Sequence, residues 1–403
     1  MPMISNLPTL KVDGGALLFA RPQPNPAELE KAKLTATGLV EAYNQIGYDA
    51  VGVARLDLAG GLDFFKGLVK DSKFAWLSAN LVEPKSGRPL FTPFISRKLG
   101  NMRVAVIGIT SNQIREDGLG EAAVTSKPWA EVLTPLVAEL SRSHDFLILL
   151  TDLPPTVCVT VAQQFPALNL IINAGGDPGN QSPRTLAPAT ILAATEQQGK
   201  YAGALEITWN PGGNWGEGNK QSLALEGLPV ASFTNSFQAM DVAVGEEPKV
   251  AAIVAQVKRR IFELGQKEAA AKAGAESSPL PDFAGSQVCG SCHQKATDNW
   301  QSTKHAGAYV TLQKKTQQFT VDCLLCHVTG GAMVSTDRLA SLPPELRGVG
   351  CEVCHGASRR HAEGKEKSRP RQVPENLCRN CHVPEHDGHF DYARNLELIR
   401  CDR

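Results

Sequence analysis

The chain has no hydrophobic run long enough to cross a membrane, because its longest apolar runs, such as residues 146–150, have the length of a strand. It has no excess of either charge, since 41 Lys and Arg residues balance 41 Asp and Glu residues, which argues against nucleic-acid or membrane-surface binding. Its first residues lack the basic and apolar segments of a secretory signal. Histidine is scarce before residue 281, where His144 is the only one.

Residues 1–246 have the pattern of an α/β domain, in which strand-like apolar runs alternate with helical patterns. We predict strands at 50–54, 103–109, 146–150 and 168–172. We predict helices between them at 27–46, 61–70, 128–143 and 154–165. A glycine-rich stretch at 212–218 marks a turn.

Residues 247–273 form one long helical pattern. Six apolar residues recur at helical spacing and predict one buried stripe: Val250, Ile253, Val254, Val257, Ile261 and Leu264. The Ala-, Ser- and Pro-rich residues that follow have the composition of a linker. We therefore divide the chain into a domain at 1–246, a helix and linker at 247–280, and a second domain at 281–403.

Eight of the ten cysteines lie in four Cys-x-x-Cys-His motifs in the second domain. The cysteine pairs are Cys289 and Cys292, Cys323 and Cys326, Cys351 and Cys354, and Cys378 and Cys381, and the histidines are His293, His327, His355 and His382. Two thiols at this spacing reach both vinyl groups of one porphyrin, and the adjacent His becomes the proximal ligand of its iron. The motifs therefore predict four covalently bound haem c groups. Cys-x-x-Cys pairs also form zinc ribbons, but a ribbon does not require a His directly after the second Cys.

The sixth ligand of each iron decides between electron transport and chemistry at an open position. The second domain contains four more histidines as distal candidates: His305, His361, His386 and His389. Because His386 and His389 are only three residues apart, one of the two is expected to stay unused. We predict three haems with two His ligands each and a fourth that is closed in the same way or open.

Two features allow more than one interpretation. Residues 358–371 carry mixed charge with a basic excess, and they form either a solvated loop or a place where Arg359 or Arg360 pairs with haem propionates. Cys158 and Cys401 lie outside the motifs and could form a disulfide in an oxidising compartment, although their separation in sequence does not favour it.

Residues 285–393 resemble the tetrahaem cytochromes c related to the electron acceptor of hydroxylamine oxidoreductase. The resemblance lies in the motifs and their flanks, at 288–294, 300–306, 322–330, 350–356 and 378–385. It implies a small, mainly α and irregular multihaem domain with closely stacked haems, most of which have two His ligands. It leaves open whether one haem is five-coordinate.

Residues 5–246 resemble the metallophosphoesterase domain of 5′-nucleotidases and UDP-sugar hydrolases, at 47–51, 77–81, 87–91 and 104–110. The resemblance implies a layered α/β sandwich. That family binds two metals through Asp, Asn and His side chains for phosphoester hydrolysis. Its opening Asp-x-His has no counterpart here, and the later metal-ligand positions fall at or near Ala16, Ala54, Arg55, Leu56, Asp152, Gly175 and Asp177. The resemblance therefore implies a pseudoenzyme scaffold without phosphoesterase activity.

The chain as a whole is expected to be an electron carrier of the periplasm or the extracellular space, because c-type haem is normally attached outside the cytoplasm. We therefore expect that a leader has been removed or that the true start lies upstream. Expected partners are redox proteins, and no nucleic acid. The alternatives are a redox enzyme acting on a small nitrogen oxide at one open haem, a hydrolase with a cytochrome tail, and a homo-oligomeric or filament-forming cytochrome.

Overall fold

The computed structural model describes residues 7–111, 124–176, 181–186, 190–196, 199–209, 231–272, 282–331, 342–367, 373–383 and 387–401. The chain divides into two compact units, residues 1–24 with 32–254, and residues 25–31 with 255–403. The predicted turn at 212–218 and most of the predicted linker lie outside the described residues. Among those that are described, no helix has the length and hydropathy needed to cross a bilayer.

The first unit is an α/β structure. Its described strands are β1 (Val12–Asp13), β2 (Ala50–Gly52), β3 (Ala75–Leu77), β4 (Leu81–Val82), β5 (Phe94–Leu99), β6 (Met102–Ile109), β7 (Thr125–Ser126), β8 (Phe146–Thr151), β9 (Leu170–Asn173), β10 (Gln181–Leu186), β11 (Thr190–Ala194), β12 (Tyr201–Thr208) and β13 (Ser232–Ala239). Its described helices are α1 (Leu29–Ile46), α2 (Leu62–Asp71), α3 (Trp129–Leu140) and α4 (Pro155–Gln164).

Two sheets form the centre of this unit. The larger has the strand order β10-β11-β9-β8-β6-β5, and β6, β8, β9 and β11 run parallel between antiparallel edges. The smaller is the parallel sheet β1-β2-β3. The pairs β12-β13 and β4-β7 are antiparallel. Parallel strands need helical crossovers, which explains why helices and strands alternate in the sequence.

Three apolar clusters hold the layers together. One lies between the sheets and joins Leu77 of β3 to Val106 of β6 and Ile148 of β8. A second packs α3 and α4 on the outer face of the large sheet, through Leu133 and Val161. The third packs α1 and α2 around Trp76 beside the small sheet. These layers confirm the predicted α/β sandwich.

The predicted strands and helices of the first unit are confirmed within a few residues at their ends, because their apolar patterns reflect real burial. The strands that the sequence pattern did not predict are short or half-exposed. For example, the residues of β12 and β13 are all half-buried or exposed, and neither strand has a continuous apolar run.

Helix α5 (Pro248–Lys272) confirms the long helical pattern. The prediction of one buried stripe along it is wrong at Val254, which is 43% exposed. An aromatic contact of this helix lies further along, where the Phe262 and Phe319 rings have centroids 5.6 Å apart. Apolar spacing predicted the helical face correctly, but it does not say how much of that face a neighbour covers.

The second unit consists of short helices and irregular chain, as predicted. After α5 its described helices are α6 (Ser286–Cys289), α7 (Gln294–Gln301), α8 (Ala308–Lys314), α9 (Val321–His327), α10 (Cys351–His355), α11 (Arg359–Ala362), α12 (Glu375–Arg379) and α13 (Tyr392–Leu398). Its side-chain core is small and is formed by Phe283, Leu312, Leu324, Val328, Leu342 and Leu346.

Candidate haem centres

Short helical turns present the four motifs. Motif cysteines lie at the end of α6, within α9 and α10, and within α12. In the first motif the amide N–H of His293 donates to the carbonyl of Cys289 at 2.8 Å, and in the fourth that of His382 donates to Cys378 at 2.9 Å. One helical turn therefore brings the histidine back beside the first cysteine of its own motif, as covalent haem attachment requires.

Thiols of different motifs lie next to each other. Cys289 of the first motif and Cys351 of the third share a hydrogen bond, which lowers the pKa of the Cys351 thiol to about 6. Cys381 of the fourth motif shares a hydrogen bond with Cys326 of the second and lies near Cys354 of the third, and burial raises its pKa to about 12. The motifs thus form one cluster with the neighbour order first, third, fourth, second.

Two motif histidines face distal candidates across a gap. The ring centroids of His293 and His361 are 6.3 Å apart, and those of His305 and His382 are 6.0 Å apart. With metal–nitrogen bonds of about 2.0–2.1 Å and about 1.1 Å from nitrogen to ring centre, two imidazoles that share one metal have centroids roughly 6.3 Å apart. The residues present therefore fit a haem iron at both places.

In one histidine of each pair the outer nitrogen, Nδ1, hydrogen-bonds to a protein group, which leaves Nε2 for iron. His361 Nδ1 lies 3.0 Å from the Glu366 carbonyl oxygen, and His382 Nδ1 lies 2.7 Å from Asp387 Oδ2. Burial, together with the nearby His382, lowers the pKa of His305. A lowered pKa favours the neutral imidazole, which is the form that binds a metal.

The remaining two motif histidines have different surroundings. His327 Nδ1 lies 2.8 Å from the carbonyl oxygen of Ala308 and 3.3 Å from Thr311 Oγ1. His355 Nε2 lies 3.9 Å from Cys401 Sγ. Of the other distal candidates, His389 is exposed and His386 lies outside the described residues. The pairs found among the described residues thus use His305 and His361.

A buried carboxylate supports the third motif. Glu352, which lies between Cys351 and Cys354, is 2% exposed and accepts backbone N–H bonds from Ala284, Gly285 and Ser358 at 2.8–2.9 Å. It ties α10 to the chain on both sides. The haem signature does not predict this role, because the two residues between the motif cysteines are unconstrained in it.

The backbone around His305 is fixed by a second set of bonds. The His305 carbonyl accepts from the Val349 N–H at 3.0 Å, and the Val349 carbonyl accepts from Trp300 Nε1 at 2.8 Å. These bonds hold the distal candidate against the loop that leads into the third motif. His305 is therefore positioned by tertiary contacts far from it in sequence.

Both arginines considered for haem propionates have protein partners. Arg359 donates through Nη2 to the carbonyl of Phe283, and Arg360 Nε lies 3.3 Å from Glu366 Oε2. Of the two cysteines outside the motifs, Cys158 is buried and Cys401 is exposed, and no disulfide joins them. Burial raises the pKa of Cys158 to about 12, so this thiol is unreactive near neutral pH.

The first unit brings the family's metal-ligand positions together at the carboxyl ends of β1, β2, β8 and β9. The two carboxylate oxygens of Asp152 accept hydrogen bonds from backbone N–H groups, one from Ser111 at 2.6 Å and one from Arg55 at 3.2 Å. Burial raises the pKa of Asp152, and these bonds oppose the rise. Ala16 and Ala54 offer no ligand, and Asp177 lies outside the described residues.

A second carboxylate at this edge, that of Asp57, also accepts hydrogen bonds from backbone N–H groups. Asp57 is fully buried and accepts from the N–H groups of Ala16, Leu17, Leu18 and Ala54. Burial raises its pKa, against the effect of these bonds. Within the described part of the chain, no group of three or more His, Cys, Asp or Glu side chains is arranged to hold a metal ion.

The second unit matches a known family. Residues 288–356 match the family model described as cytochrome c554 and c-prime. Cytochrome c-554 of Nitrosomonas europaea is 35% identical over an alignment of 101 positions, which covers 21% of this chain and 43% of that protein. The match supports covalently bound haem c and a role in electron transport.

The first unit matches other proteins. Protein UshA of Salmonella pullorum is 26% identical over an alignment of 231 positions, which covers 49% of this chain and 42% of that protein. The structure of the sulfate thiohydrolase SoxB from Thermus thermophilus, in complex with glycerol, aligns with a TM-score of 0.50 and 16% identity over 62% of this chain and 42% of that chain. This likeness shows the fold alone.

The chain spans less than half of the length of each of these relatives. The cytochrome match lies in the second unit and the UshA match lies in the first, so the two are compatible. The chain therefore joins a segment similar to the cytochrome c554 family to a unit similar to the UshA and 5′-nucleotidase metallophosphoesterases.

Proposed function

We propose that this protein is a multihaem c-type cytochrome that transfers electrons between redox partners outside the cytoplasm. The observation that carries the proposal is the pair of imidazole gaps, 6.3 Å between His293 and His361 and 6.0 Å between His305 and His382. Two strong nitrogen ligands close an iron to substrates, which suits a carrier. Attachment of c-type haem outside the cytoplasm supports a periplasmic or extracellular location.

Four haem c groups would be held by the eight motif cysteines, with His293, His327, His355 and His382 as proximal ligands. His361 would be the distal ligand of the first haem and His305 that of the fourth. When bound, each haem supplies a one-electron couple of ferric and ferrous iron. The protein would supply the orientation of the imidazoles.

The route of the electron would follow the contacts between attachment thiols. Cys289 contacts Cys351, Cys381 lies near Cys354, and Cys381 contacts Cys326. Haems attached at adjacent thiols would be close neighbours, so the cysteines would hold the four haems in the order first, third, fourth and second motif. The ends of this series would face the donor and the acceptor.

The first unit would serve as a scaffold that offers a docking surface to a partner. This proposal is supported by the side chains at the edge where the related enzymes bind metal. Asp152 and Asp57 accept hydrogen bonds from the backbone there, and Ala16 and Ala54 have no ligand atoms in their side chains. A phosphoesterase mechanism with two metals needs ligands that these positions do not provide.

A second candidate function is suggested by His327. Its ring contacts Ala308 and Thr311, and no described imidazole pairs with it across an iron-sized gap. An open haem at the second motif would bind a small nitrogen oxide. The protein would then be a redox enzyme that receives its electrons from the other haems.

One set of spectra tests both candidates. The carrier predicts four haems per chain by the pyridine haemochrome assay and low-spin ferric signals for at least the first and fourth haems by EPR. A high-spin fraction that shifts when nitrite, hydroxylamine or CO is added would favour the enzyme. High-spin iron at all four sites, or no covalent haem, would refute the carrier.

A further inference from the structure

The proximal histidine of the fourth motif has an outer hydrogen-bond partner that carries charge. His382 Nδ1 lies 2.7 Å from Asp387 Oδ2, and both side chains are about one-third exposed, at 32% and 36%. His327 Nδ1, in the second motif, lies 2.8 Å from the neutral carbonyl oxygen of Ala308. Hydrogen bonds to charged acceptors are roughly twice as strong as those between neutral groups.

The carboxylate of Asp387 is held in this position by local structure. The Asp387 N–H donates to the Val383 carbonyl at 2.8 Å, and the Asp387 carbonyl accepts from the Phe390 N–H at 3.2 Å. The Phe390 ring stacks on the His382 imidazole, with centroids 4.4 Å apart and planes 21° apart. The Arg379 guanidinium lies 5.4 Å from the Phe390 centroid. The imidazole is thus fixed both in its plane and at its outer nitrogen.

We propose that Asp387 lowers the reduction potential of the haem attached at Cys378 and Cys381, an inference that rests on the proposed function. A carboxylate that accepts the Nδ1–H proton makes an imidazole a stronger electron donor at Nε2. A stronger donor stabilises ferric iron more than ferrous iron, so the couple becomes harder to reduce. Asp387 is a positioning residue, because it acts on the iron through His382.

The proximal histidines of the fourth and second motifs have different outer hydrogen-bond partners, so the reduction potentials of their two haems should differ. Cys381 and Cys326 share a hydrogen bond, so the two haems would be neighbours. The proximal histidine of one meets a carboxylate, and that of the other meets a carbonyl. An electron would therefore rest preferentially on the haem of the second motif, which is also the candidate for an open position.

The test is a potentiometric titration of the holoprotein followed by its Soret absorption. In Asp387→Asn, one midpoint should rise while the others stay in place. We expect a tenfold change in the ratio of oxidised to reduced haem, about 59 mV for a one-electron couple. Asp387→Glu keeps the carboxylate and should stay near the wild-type midpoint. Asp391→Asn is the control, because Asp391 accepts from the Arg394 N–H at the start of α13.

Unchanged midpoints in an Asp387→Asn protein that retains its haems and low-spin signals would overturn the proposal. A second measurement needs no variant. In the wild type, near-infrared magnetic circular dichroism should separate one bis-histidine haem with imidazolate character from the other, and identical bands would also overturn the proposal. A wild-type protein without covalent haem refutes the proposed function instead, so the two failures are distinguishable.

Discussion

At the scale of single residues, the two nitrogens of a ligand histidine have separate roles. The outer nitrogen of His361 lies against the Glu366 carbonyl, that of His382 against Asp387, and that of His327 against Ala308. Such bonds fix the tautomer and the ring plane, so Nε2 is the atom left to bind iron. The sequence identifies the ligand histidine, but the hydrogen-bond partner of its outer nitrogen decides how strongly Nε2 donates electrons to the iron.

Replacing His361 with Ala should open the sixth position of the first haem. The 6.3 Å spacing to His293 is the basis on which we propose this imidazole as the distal ligand, so its loss should convert one low-spin haem to high-spin iron. EPR of the ferric protein measures the change. His389→Ala is the matched control, because His389 is exposed and should leave the spectrum unaltered. Equal effects of the two variants would contradict the assignment.

At the scale of elements, the second unit is built of helices too short to be stable alone. Bonds between them supply the missing support. Glu352 in α10 accepts N–H bonds from Ala284 and Gly285 on one side and Ser358 on the other. The longer helix α5 is held by close packing against Phe319 instead. A side chain on Gly265 would place its Cβ 2.4 Å from the Cγ atom of Phe319.

The contact between α5 and Phe319 should not tolerate even a methyl group. We expect Gly265→Ala to lower the midpoint of thermal unfolding, since overpacking costs about 1–3 kcal/mol. Gly67→Ala in α2 is the control, because its Cβ would meet no atom within 4 Å. There the loss of a helix glycine should stabilise by about 0.5–1 kcal/mol and raise the midpoint. If both variants raised the unfolding midpoint, or both lowered it, the packing argument would be refuted.

At the scale of the whole molecule, the chain combines a layered α/β unit with a unit whose own side-chain core is small. The first unit has three apolar clusters, and the second has one cluster of six buried residues among those described. We infer that haem burial supplies much of the missing apolar contact in the second unit.

The holoprotein should not hydrolyse phosphoesters. With Mn²⁺ or Zn²⁺ present, phosphate release from a 5′-nucleotide or a UDP-sugar should stay at the level of a blank, because Asp152 is committed to Ser111 and Arg55. Asp152→Asn, which can accept at one position only, should leave that background unchanged. A metal-dependent rate that disappears in Asp152→Asn would show that the first unit retains a catalytic site.

Much of the fold could be predicted from sequence, and the reason differs between regions. Strands such as β6 and β8 are buried on both faces and read as continuous apolar runs. The strands β12 and β13 are half-exposed and lack such runs, so their pairing was not predicted. Val254 shows the same limit in a helix, since spacing alone does not reveal whether a face is covered.

The sequence alone determined the chemistry of attachment, because two thiols and a histidine at fixed spacing are a local arrangement within one helical turn. It also determined which ligands the first unit lacks. Only the tertiary structure decided which distal histidine meets which motif, since His361 lies 68 positions from His293 and His305 lies 77 from His382. It likewise placed Asp387 on His382. Such pairings join residues that are far apart in the sequence, so they depend on the tertiary fold and cannot be predicted from the spacing within one motif.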